Sequence, residues 1–94
     1  MNVVIIDGQG GLLGAQLVKE ITAQFKDINL TGIGTNAVAA AAMLKAGAKN
    51  VASGENPVVV ACRKADIIIG PIGIVIADSL LGEITEKMAL AISR

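Results

Sequence analysis

Ninety-four residues, 9.5 kDa, suffice for one core, so a single domain spanning residues 1–94 is expected. Eight basic residues balance eight acidic ones, which excludes the basic face that nucleic-acid binding needs, and the absence of His, Tyr and Trp removes the commonest general base, the phenol acid and every imidazole-held metal site. Hydrophobic residues make up 53% and charged ones 17%, more apolar surface than a small monomer hides, so a homo-oligomer is expected.

Val3–Ile6 is an unbroken β-branched run ended by Asp7-Gly8, the mark of a strand buried on both faces of a parallel sheet. From Gly11 to Phe25, Leu13, Leu17, Val18, Ile21 and Phe25 recur at spacings of three and four with Gln16, Lys19, Glu20 and Gln24 between them, which predicts an amphipathic helix. Ile28–Ile33 reads as a second strand. Thr35 or Asn36 then caps a helix from Ala37 that stops at Gly47. Its first eight residues are all apolar and five are alanine, so this helix either packs on the sheet alone or also forms a subunit contact.

Lys49–Ala52 is a short third strand, after which Pro57 opens a helix running to Lys64, and Ile67–Ile69 is the fourth strand. Gly70-Pro71-Ile72-Gly73 makes a turn, and Ile74–Leu81 and Thr85–Ser93 are helical, with Thr85 as a cap. Strand and helix alternating with short loops predict an α/β fold: a small Rossmann-like three-layer sandwich with a parallel sheet of about four strands. No apolar run is long enough to span a membrane, and a single cysteine with no signal-type start points to the cytoplasm.

The junction Asp7-Gly8-Gln9-Gly10-Gly11-Leu12-Leu13-Gly14 falls where a parallel sheet presents helix amides to an anion. Gly8, Gly11 and Gly14 satisfy G-x-x-G-x-x-G, while G-x-G-x-x-G fails at Leu13 and no G-K-[ST] follows. This spacing resembles the loop of extended and atypical short-chain dehydrogenases, which implies a nucleotide of NAD(P) type as ligand. The acid that usually holds the adenosine ribose is replaced by Gly34-Thr35-Asn36, whose side chains either bond a ribose or cap the helix. Asp7 either accepts amide bonds from the loop or holds Mg²⁺ against a ligand phosphate, and Glu55 is the second carboxylate that could join it in acid–base or metal chemistry. Asp66 should lie at the opposite edge as a solvated cap, and Gly70, Pro71 and Gly73 would wall the site. Cys62 sits among apolar residues, as a small buried thiol does.

IDGQGG at Ile6–Gly11, GTNAVA at Gly34–Ala39, MLKAGA at Met43–Ala48, GEN at Gly54–Asn56, ADIIIGPIGI at Ala65–Ile74 and LGEIT at Leu81–Thr85 together resemble the bacterial family known as domain of unknown function 3842. The resemblance spans nearly the whole chain and carries no activity. It implies that these motifs belong together, and on four parallel strands they gather at one sheet edge. The expected function is accessory or regulatory nucleotide binding through Gly8, Gln9, Gly10, Gly11 and Gly14, with Gly34, Thr35 and Asn36 beside them. A small enzyme using Asp7 and Glu55 and a ligand-free oligomerisation module are the alternatives.

Overall fold

The computed structural model describes residues 1–70 and 86–93. Strand β1 (Asn2–Asp7) leads to helix α1 (Leu12–Gln24), β2 (Asn29–Gly34), α2 (Ala37–Ala46), β3 (Asn50–Ser53), α3 (Glu55–Lys64) and β4 (Ile67–Ile69), and α4 comprises Glu86–Ser93. The strands form one parallel sheet in the order β3-β2-β1-β4. The chain therefore winds outward from β1 through β2 to β3, then returns to the other side of β1, and the reversal falls between β1 and β4. The helix predicted over Ile74–Leu81, most of the predicted turn before it and the Thr85 cap lie outside the described residues.

Alternation along the strands builds two cores. Val3 and Ile5 of β1 pack with Leu30, Val18 of α1 and Met43 of α2, whereas Val4 and Ile6 pack with Ile33, Val58 of α3 and Met88 of α4. Ile5 and Ile6 are both fully buried, which explains why β1 reads as an unalternating apolar run: each face of the sheet is covered by helices. The three layers expected from the sequence are present.

Asn36 caps α2, its Oδ1 accepting from the Ala39 amide at 2.8 Å. Gly47 closes the helix at φ 114°, with Gly47 N donating to Leu44 O and Ala48 N to Met43 O. The alanine-rich helix has two faces despite its composition, since Ala39, Ala40 and Met43 are buried while Ala37, Val38, Ala41 and Leu44 are exposed. Helix α3 starts at Glu55, two residues before the expected Pro57 start. Any amide of the first turn lacks a helical acceptor, so proline fits the third position as well as the first.

At the amino-terminal rim, Asp66 does more than cap. Its Oδ2 accepts from Asn2 N at 2.7 Å and its own amide donates to Asn2 O at 2.8 Å, fastening β4 to the start of β1. Asn2, Asn29 and Asn50 form a side-chain ladder across three strands, with Asn29 Nδ2 donating to Asn2 Oδ1 and Asn50 Nδ2 to Asn29 Oδ1.

Replacing Ile5 by Ala should lower unfolding free energy by about 2–5 kcal/mol, whereas Val38→Ala, on the exposed face of α2, should change it by less than about 0.5 kcal/mol; denaturant titration checks both.

Candidate functional site

The carboxyl ends of the strands bring Asp7, Gly34 and Ser53 into one row, with Asp7 paired to Gly34 and Gly34 to Ser53. Asp7 has the parity of Val3 and Ile5, so its side chain projects toward α1. The carboxylate is 6% exposed; Gly8 N donates to Oδ1 at 2.9 Å and Gly14 N to Oδ2 at 2.6 Å. Among the described residues, two amides and no Lys or Arg meet this carboxylate. The brace expected of Asp7 is thus present, made across seven residues onto the third amide of α1.

The loop between these two bonds is tightly constrained. Gln9 adopts φ 50° and Gly11 φ 74°, while Gly11 N donates to Gly8 O at 3.0 Å and Ala15 N to Gly11 O at 2.9 Å. A Cβ on Gly11 would lie 2.6 Å from Ala39 Cα, and one on Gly14 would lie 2.9 Å from both Asp7 Cβ and Met43 Sδ. These two glycines let α1 lie against α2 and against the end of β1. Gly10 differs: a Cβ there would meet nothing within 4 Å.

The amides of Gly8, Gly11, Gly14 and Ala15 are therefore occupied by the chain's own oxygens, and among the described residues those of Gly10, Leu12 and Leu13 have no acceptor. They border an open depression of about 210 Å³ lined by residues 7–13. Leu12 and Leu13, 82% and 50% exposed, flank it.

The β2 end is committed to structure. Thr35 N donates to Asp7 O at 2.9 Å, Gly34 O accepts from Gly54 N at 3.0 Å, and a Cβ on Gly34 would collide with Ala40 N and Asn36 O. Besides capping α2, Asn36 donates from Nδ2 to Gln9 O at 3.0 Å, tying the glycine loop to the β2 loop. Asn36 follows the end of β2, where dinucleotide-binding sheets usually carry the acid that holds a ribose. Glu55 opens α3, which packs on the sheet face opposite α1, and β2 lies between its strand and β1. The structure therefore does not bring Glu55 to the Asp7 carboxylate, and no group of three or more metal-ligating side chains occurs among the described residues. Gly70 follows β4 half-buried; Pro71 and Gly73 lie outside the described residues.

Ala39 and Met43, which seat Gly11 and Gly14, were not singled out by the sequence pattern; their spacing of four on an alanine-rich helix is the signal that places them on one face. On the other side of the sheet, Cys62 is half-buried beside a cleft of about 270 Å³ that it shares with Val59, Arg63, Asp66 and Ala91. Burial pushes its thiol above the usual range.

A doubly wound α/β protein with a glycine junction beside its strand-order reversal is the class these features define. The chain belongs to the family described as Domain of unknown function (DUF3842), whose sequence model matches residues 2–94. A stretch of 46 residues is 48% identical to part of Chaperonin GroEL 1 of Mycolicibacterium gilvum (strain PYR-GCK). That stretch is 49% of this chain and 8% of the chaperonin, a likeness too partial to bear on function. No solved structure matches. No helix among the described residues is long and apolar enough to cross a membrane.

Gly10→Ala should leave stability within about 0.5 kcal/mol of the parent, while Gly11→Ala and Gly14→Ala should each cost about 2–4 kcal/mol, as thermal or denaturant unfolding will show. Cys62, with its raised thiol, should be alkylated by iodoacetamide at pH 8 more slowly than free cysteine, and denaturant should remove the difference.

Proposed function

We propose that this protein binds a nucleotide by its phosphate, on the amides of Gly10, Leu12 and Leu13, in an accessory or regulatory role without catalysis of its own. The observation that carries this reading is the group of three acceptor-free amides around an open depression at the carboxyl end of β1. Such amides at a helix start favour an anion, and in open α/β sheets ligands settle beside the reversal of strand order, here between β1 and β4. Gly10 leaves room for close approach, and the exposed Leu12 and Leu13 give a base or sugar an apolar rim.

The tie between Asn36 and Gln9 weighs against NAD(P) held in the usual way, with its adenosine ribose at the end of β2. It favours a ligand gripped by phosphate and extending toward Gly70. Homo-oligomerisation is a second proposal, supported by Val38 and Leu44 standing 66% and 55% exposed on α2; light scattering that returns a 9.5 kDa monomer at high concentration refutes it.

Calorimetric titration with NAD, NADP, ATP and a cyclic dinucleotide tests the main reading. At least one should bind, and Gly10→Asp, which adds bulk and charge where the backbone is open, should weaken it at least tenfold, about 1.4 kcal/mol. Silence with all four, or equal binding by the variant, contradicts the assignment.

A further inference from the structure

Strand β4 ends the sheet on one side, and among the described residues no further strand pairs with its outer edge. The space beside that edge is open on both faces. Ile67 and Ile69 line a groove of about 200 Å³ on the α1 face, together with Ile21, Phe25 and Met1, and no polar side chain lines it among the described residues. Ile68, of the other parity, lines the cleft of about 270 Å³ on the α3 face. An added strand sends alternate side chains to the two faces of a sheet, so it would fill both depressions at once, a shape that a helix or a compact small molecule lacks. Phe25 is the chain's single aromatic residue, and it stands 57% exposed on this groove instead of in either core. Met1 and Ile67 are exposed beside it. Aromatic residues and Met are enriched in protein interfaces relative to the rest of a surface.

We propose that β4 is the docking edge for a second copy of this chain, whose own β4 pairs antiparallel to it about a two-fold axis through Ile68, so that one sheet runs across both copies. The inference is independent of the phosphate reading and names an interface other than the α2 face of Val38 and Leu44. A two-fold contact needs a self-complementary patch, and this one holds both a projection, Phe25, and a recess, the groove. A two-fold turn normal to the sheet keeps both α1 faces on the same side, so the two grooves join and each Phe25 is received by the other copy. Pairing centred on Ile68, the middle of the strand, sets Ile67 against Ile69 and Asp66 against Gly70, so no charge meets its like along the strands. A partner strand with charges on this face would bury them against an uncharged groove, whereas a second β4 brings only isoleucines. Three large exposed side chains and the strand beside them offer on the order of 500 Å² per copy, and a total on the order of 1,000 Å² is the low end for a specific interface, so the dimer should be weak and dependent on concentration.

Analytical ultracentrifugation of the full chain over a wide concentration range tests the proposal, and a monomer–dimer equilibrium is expected. Phe25→Asp, and Ile67→Lys, which places a charge on the strand edge, should each weaken the dimer at least tenfold while circular dichroism stays native, since both positions are exposed. Val38→Asp, on α2, should leave the dimer unchanged. Residues facing each other in an antiparallel pair lie with Cα atoms about 4.5–5.5 Å apart, within disulfide reach. On oxidation, Ile68→Cys in a Cys62→Ser background should therefore give a linked dimer, whereas Ile67→Cys in the same background, whose two copies are offset along the strands, should link poorly. A monomer at every concentration overturns the proposal. So does a dimer that Val38→Asp dissociates and Phe25→Asp does not, which places the contact on α2, and so does a dimer that links no better through Ile68→Cys than through Ile67→Cys. Should Ile68→Cys fail to fold, Phe25→Asp and Ile67→Lys decide.

Discussion

The structure turns on one buried carboxylate bridging two amides. Asp7 closes β1, and its bonds to Gly8 and Gly14 fix where the loop leaves the strand and where α1 begins. Without them the third amide of α1 would be buried with no acceptor, at a cost of about 1–3 kcal/mol, and the loop would lose the anchor that sets its curvature. The same carboxylate takes up part of the favourable field at the helix start.

Close backbone packing follows from that anchor. Gly11 rests on Ala39 and Gly14 on Met43, so the first two helices meet through atoms that admit no side chain between them. Asn36 completes the arrangement by capping α2 with its oxygen and holding Gln9 with its nitrogen. One side chain thereby couples the β1 and β2 loops. Asn36 is thus committed to holding two loops together.

Much of the fold was legible because its signals are local. Ile67–Ile69 and Val3–Ile6 are β-branched runs, the apolar spacing of α1 points it at the sheet, and Asn36 and Gly47 mark the ends of α2 by their chemistry. The start of α3 was misplaced because a proline fits any position of a first turn. Within the site, Gly8, Gly11 and Gly14 were visible as a spacing, and the brace role of Asp7 was one of two readings open to it. The difference between Gly10 and Gly11 was not visible, since it depends on which glycine faces Ala39, a residue of another helix. Nor was the bond from Asn36 to Gln9, which spans 27 residues and ends on a residue at a positive φ. The separation of Asp7 from Glu55 required knowing that α1 and α3 lie on opposite faces.

Amide hydrogen exchange of the free protein, resolved residue by residue by NMR, tests the central claim most directly. Gly8 and Gly14, bonded to the buried carboxylate, should exchange slowly, while Gly10, Leu12 and Leu13, only a few residues away, should exchange near the rate of an open chain. Fast exchange at Gly14, or protection spread evenly from Gly8 to Gly14, would contradict a loop centred on Asp7 with the Gly10, Leu12 and Leu13 amides lacking acceptors.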